Sequence, residues 1–110
     1  MEIGPGTGQA TRELARTGAS ITAVEIGPQL AARARVQLAE YQNVELVTAS
    51  FEEWELPSER FDVVFAATSW HWVDPEVRVV KAAKALRPSG VLATLSTQHV
   101  AGGSSVFFAA

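Results

Sequence analysis

Three glycines near the amino terminus constrain the fold of this chain more than any other feature of its sequence. They occupy positions 4, 6 and 8, directly after a short segment at residues 1–3 and before a segment with helical spacing. Glycine is needed where the backbone takes a positive φ or approaches a ligand closely. The spacing therefore predicts a strand, a tight loop and a helix over residues 7–17, which together begin a β-α-β fold.

The rest of the chain alternates short apolar runs with segments of helical periodicity. These patterns predict strands at residues 20–25, 44–48, 61–67 and 91–96, and helices at residues 28–40 and 75–86. The apolar run after Asp62 predicts a strand covered on both faces. Residues 87–90 predict a turn, and the tail predicts a loop with a helix starting at Val106. The fold class is therefore α/β, a Rossmann-like, mostly parallel sheet with helices on both faces.

Composition narrows the class of protein further. A chain of 110 residues predicts one domain. It contains no cysteine, which excludes disulfides, cysteine–zinc sites and thiol chemistry and favours a cytoplasmic protein. The net charge is −3 and the nine basic side chains are dispersed, which argues against a nucleic-acid partner. We expect no membrane association, because no apolar run approaches the ~20 residues of a membrane helix.

Most of the chemically suggestive side chains follow directly after predicted strands. In an open parallel sheet, ligands bind outside the carboxyl ends of the strands. The segments at this rim are the glycine loop, Glu25, Ser50 with Phe51, residues 69–72 and residues 97–99. We therefore predict a single ligand site there.

Glu25 lies 21 residues after Gly4 and ends the second predicted strand. A carboxylate at this position can accept hydrogen bonds from the hydroxyls of a ribose. The dinucleotide fingerprint G-x-G-x-x-G places its third glycine where this chain has Gln9. Pyrophosphate binding is therefore disfavoured, and an NAD-type oxidoreductase fragment is kept as an alternative.

The motif Glu-x-Gly-x-Gly-x-Gly, followed by an acid that ends the second strand, resembles the class I S-adenosylmethionine-dependent methyltransferases. Residues 60–64 and 86–90 are similar to the family's fourth-strand segment and to the segment before its fifth strand. Ser89 departs from that pattern, since a second glycine is common there, and we expect little effect. Residues 70–75, Trp-His-Trp-Val-Asp-Pro, resemble the branch that methylates small molecules.

The resemblance implies a strand order of 3-2-1-4-5 and a set of cofactor contacts. Glu2 and the backbone of the three glycines would hold the methionine end of S-adenosylmethionine, and Glu25 the ribose. Ser50 and Phe51 would border the adenine, although many members have Asp where Ser50 stands. The remaining cofactor-side residues are Ala66 and Thr68.

The acceptor side would be formed by Trp70, His71, Trp72 and His99. An indole on this rim can shield a sulfonium or stack on a planar acceptor. His71 is a candidate for a general base, and His99 is a second, less favoured one. The alternative is that the two tryptophans pack their loop onto the sheet and that His71 only hydrogen-bonds to the backbone. We favour this structural role for His71, because methyl transfer to a nucleophilic atom needs no base. Two histidines alone do not make a metal site.

Complete members of the family have an N-terminal helical segment and two further strands. Residues 1–110 therefore predict a partial methyltransferase core, the cofactor-binding half, truncated at both ends. We expect the fifth strand to be an exposed edge, and the chain alone to be weakly stable and poorly active. A non-catalytic domain that binds a cofactor or a partner is the second alternative. The acceptor atom and the oligomeric state stay open.

Overall fold

The computed structural model describes the backbone of residues 1–67, 69–100 and 103–109, and side chains up to residue 95. The strands are β1 (Glu2–Ile3), β2 (Ile21–Glu25), β3 (Val44–Thr48), β4 (Phe61–Ala67), β5 (Leu86–Val100) and β6 (Gly103–Ala109). The helices are α1 (Gln9–Ala15), α2 (Pro28–Gln37) and α3 (Pro75–Ala85), and a 3-10 turn spans Trp70–Trp72. The predicted alternation is confirmed, with α1 and α2 each ending earlier than expected.

The strands form one sheet in the order β3-β2-β1-β4-β5-β6. The first five are parallel, which confirms the predicted 3-2-1-4-5 order, and β6 pairs with β5 in the antiparallel direction. The predicted helix at Val106 is therefore wrong, and so is the exposed edge at the fifth strand. Val106 is followed by two phenylalanines, and β-branched and aromatic residues favour a strand when a neighbouring strand is open for pairing.

Helices cover the two sheet faces over different strands. On one face, α1 packs on β2 and α2 packs on β2 and β3, while α3 packs on β4 and β5 from the other face. Val64 and Ala66 point toward α3 and are fully buried with Ala82. Val63 points to the opposite face and is 44% exposed. The prediction that β4 is covered on both faces is therefore wrong within the described residues.

The segment predicted as a turn before the fifth strand is a bulge within β5. Phe61 of β4 pairs with Leu86 and Val63 pairs with Val91, so residues 87–90 lie opposite Asp62 alone. Ser89 has a φ of 69° in this bulge. The bulge shifts the register without ending the strand.

The outer edge of β3 is blocked by a side chain from α2. Arg35 donates to the hydroxyl of Thr48 at 2.8 Å and to the carbonyl of Leu46 at 3.5 Å. Asn43 directly before β3 and Ala49 directly after it both bond to β2, so the odd-numbered residues face β2 and the carbonyl of Leu46 points outward. A cation laid along an edge discourages pairing with another strand.

The helices in the described part of the chain are too short or too polar to cross a lipid bilayer.

Candidate functional site

The glycine loop joins β1 to α1 at the carboxyl edge of the sheet. Its three glycines all have positive φ, at 65°, 61° and 95° for Gly4, Gly6 and Gly8. A Cβ on Gly6 would meet no atom within 4 Å, so this part of the loop faces open space. A Cβ on Gly4 would lie 2.6 Å from the Cβ of Ser69. The loop is therefore packed closely at its start and open at its centre.

Glu25 joins this loop to the next one along the sheet edge. The N–H of Gly6 donates to Oε1 of Glu25 at 2.8 Å, and the N–H of Gly27 donates to Oε2 at 2.8 Å. Glu25 is 4% exposed. Each carboxylate oxygen carries a second lone pair, so the group can still accept hydrogen bonds from a ligand. The proposed ribose contact and the open centre of the glycine loop thus lie side by side.

Glu2 is enclosed beneath the loop. It is 1% exposed, and the hydroxyl of Thr11 in α1 donates to its Oε1. Burial raises the pKa of Glu2, and the hydrogen bond from Thr11 opposes this effect. The side chain is therefore placed to brace β1 against α1 under the glycines, and its predicted contact with the cofactor stays a prediction.

The segment after β3 closes the adjoining part of the rim. Ser50 accepts a hydrogen bond from the N–H of Glu53 at 3.1 Å, which forms a local turn. Phe51 is 3% exposed and lies in the same buried cluster as Ala66. Lys81 of α3 donates to the carbonyls of residues 52 and 54, which ties this turn to α3. Burial lowers the pKa of Lys81.

The segment after β4 carries three of the four predicted acceptor-side residues on the 3-10 turn, while His99 lies in β5. Trp70 packs against the core, and the guanidinium of Arg78 lies 5.4 Å from its ring centroid. Trp72 is 81% exposed, and its ring centroid lies 4.8 Å from that of His71, which is also exposed. Packing onto the sheet, the alternative considered for both tryptophans, therefore holds for Trp70 and not for Trp72.

Thr68 and the side chain of His99 lie outside the described residues.

Sequence reasoning assigned no role to three residues that shape this site. Thr11 bonds to Glu2, Gly27 bonds to Glu25, and the hydroxyl of Ser69 donates to the carbonyl of Ile3 at 2.7 Å. The bond from Gly27 could have been predicted, because a carboxylate often accepts a hydrogen bond from the backbone N–H two residues later. The Ser69 contact joins residues 66 positions apart and has no local signal in the sequence.

Comparison with known proteins gives a consistent result. Residues 1–94 match the family model described as "Methyltransferase domain". An uncharacterized methyltransferase of Mycobacterium tuberculosis strain H37Rv is 36% identical over 92 residues, which cover 84% of this chain and 37% of that protein. A demethylmenaquinone methyltransferase of Tropheryma whipplei strain Twist is 29% identical over 100 residues, covering 90% of this chain and 41% of the relative.

A third relative acts on RNA according to its name. This rRNA adenine N-6-methyltransferase of Saccharopolyspora erythraea is 44% identical over 66 residues, covering 60% of this chain and 17% of the relative. Among solved structures, the CcbJ methyltransferase of Streptomyces caelestis superposes with a TM-score of 0.75 at 26% identity, over 88% of this chain and 42% of that one. The chain thus spans less than half the length of each of these proteins.

The glycine loop, the acid that ends β2 and the strand order agree with these matches. The chain belongs to the class I S-adenosylmethionine-dependent methyltransferases.

Proposed function

We propose that this chain is the cofactor-binding half of a methyltransferase that transfers a methyl group from S-adenosylmethionine to a small-molecule acceptor. The observation that carries the proposal is the carboxylate of Glu25, held by the N–H groups of Gly6 and Gly27 beside an open stretch of glycine loop. A ribose would meet the carboxylate, and the backbone of Gly4 and Gly6 would hold the methionine end. The residues present therefore fit the cofactor.

The side chains and backbone of this chain would place the cofactor and shield the acceptor from water. When bound, the cofactor supplies a methyl group on a sulfonium, which a nitrogen, oxygen, carbon or sulfur atom of the acceptor can attack in line. Glu25 and the glycines would orient the cofactor, and the indole of Trp72 would shelter the acceptor side. Holding two reactants in the reactive geometry can supply most of the rate enhancement of such a step. Nothing in this arrangement requires an acid or base, so the proposal gives His71 no catalytic role.

The charges near the rim support a small acceptor over RNA. Arg78 and Lys81 are the cations closest in sequence to the acceptor side, and both are held internally, on Trp70 and on the carbonyls of residues 52 and 54. Arg35 is engaged with the edge of β3. RNA binding depends on cations that are free to neutralise phosphates.

Calorimetric titration with S-adenosylhomocysteine tests the cofactor assignment, with NAD as the competing ligand class. We expect saturable binding of S-adenosylhomocysteine and none of NAD. Gly6→Ala should weaken this binding by about tenfold or more, equivalent to ~1.4 kcal/mol, because its methyl group would occupy the open side of the loop at a positive φ.

Gly18→Ala is the matched control for Gly6→Ala. Gly18 also has a positive φ, at 88°, and a Cβ there would meet nothing within 4 Å. Both variants should therefore lose similar stability, while Gly18→Ala keeps the affinity of the parent chain. Binding of NAD alone, or equal affinity losses in the two variants, would contradict the proposal.

A further inference from the structure

Ser69 lies where the cofactor-side loop meets the segment that carries the acceptor-side residues. Its hydroxyl donates to the carbonyl of Ile3 at 2.7 Å, at the end of β1. A Cβ on Gly4 would stand 2.6 Å from the Cβ of Ser69 and 2.8 Å from its Oγ. Ser69 therefore touches the first glycine of the loop so closely that only glycine fits beside it.

Ser69 is also the residue that starts the 3-10 turn. Its carbonyl accepts a hydrogen bond from the N–H of Trp72 at 3.0 Å. The far side of the turn is held by α3, because Arg78 donates to the carbonyl of Trp70 at 3.2 Å and lies over its indole. The turn is thus fixed to β1 through Ser69 and to α3 through Arg78.

We propose that Ser69 is a positioning residue that sets the distance between the glycine loop and the Trp70–Trp72 turn. The inference rests on the proposed function, in which these two segments hold the cofactor and the acceptor. A single hydroxyl then links the two sides of the site, and both sides shift when it is removed. This role differs from packing, because the hydroxyl bonds to the backbone of β1 at the point where the glycine loop begins.

Removing the hydroxyl with Ser69→Ala tests the proposal. The three tryptophans give three indole N–H resonances in proton–nitrogen correlation spectra of the full chain, assigned with single Trp→Phe variants. We expect the resonances of Trp70 and Trp72 to shift or broaden, while that of Trp54 stays in place. The dissociation constant for S-adenosylhomocysteine should rise about three- to tenfold, the range expected for one lost hydrogen bond.

Ser58→Ala is the matched hydroxyl deletion, since Ser58 is exposed on the loop before β4. It should leave the indole resonances and the affinity unchanged. The proposal is overturned if Ser69→Ala behaves like Ser58→Ala, or if the resonance of Trp54 moves as far as the other two, which would indicate a general loss of structure. If the parent chain fails to bind S-adenosylhomocysteine, the proposed function fails, while the resonances still decide whether Ser69 holds the turn.

Discussion

At the scale of single residues, the buried carboxyl group of Glu2 sets a pH dependence. Burial raises its pKa above the ordinary 4.5, so ionisation is disfavoured in the folded state. The neutral carboxyl group of Glu2 therefore makes its full contribution to stability below pH 4.5. This contribution is lost as the pH rises through the raised pKa, because the buried group then ionises. Glu2→Gln stays neutral and keeps an oxygen that can accept from Thr11. We expect the variant to gain stability over the parent chain as the pH rises.

Urea unfolding at about pH 5 and about pH 8 measures the free energy of unfolding of Glu2→Gln relative to the parent chain. The lower pH is chosen because it lies near the ordinary pKa of a carboxyl group. The gain for Glu2→Gln should be larger at the higher pH. Glu13→Gln is the matched control in α1, where Glu13 is exposed and pairs with Arg16. A gain that is equal at both pH values, or a gain in the control, would contradict the assignment to burial of Glu2.

At the scale of elements, the bulge in β5 carries a local strain. Ser89 has a φ of 69°, a left-handed conformation that costs a residue with a Cβ about 1–2 kcal/mol. Ser89→Gly should therefore raise the free energy of unfolding by about 0.5–1 kcal/mol, after the entropy that glycine adds to the unfolded chain is subtracted. Thermal and urea unfolding measure the change. Ser58 does not have a positive φ in the described structure, so the control Ser58→Gly should be neutral or destabilising. Equal effects of the two substitutions would show that the strain is absent.

The elements themselves were largely predictable from the sequence, and their side-chain contacts were not. The glycine loop and Glu25 could be placed together because parallel strands end at one edge of the sheet. The sequence predicts a loop and a helix start where the structure has the strand Gly103–Ala109, since the pairing of this strand depends on a neighbouring strand rather than on local periodicity. The contact of Ser69 with Ile3 likewise depends on how β1 and β4 register, which no local pattern encodes.

At the scale of the whole molecule, the structure gives physical reasons for the weak stability expected of the chain. The buried residues of α2 and α3 are all alanines, which remove little apolar surface from water. Val63 and Val91 pair across β4 and β5, and both are close to half exposed on the same face. We therefore expect the chain to unfold below about 45 °C in scanning calorimetry, the lower limit for most mesophilic domains. A cooperative transition well above that temperature would contradict this prediction and show that the alanine-lined core gives the stability of an ordinary mesophilic domain.

The double hydrogen bonding of Glu25 has a consequence for how this protein can change over evolution. The same carboxylate fastens the loops at Gly6 and Gly27 to each other before any ligand arrives. The entropy cost of ordering these loops is therefore met when the chain folds. In the proposed function, the cofactor would bind to loops that are already in place. If Glu25 also binds the ribose as proposed, folding and cofactor recognition depend on the same side chain. A substitution of Glu25 would then alter both at once, whereas a substitution of the exposed Trp72 would have little effect on the fold.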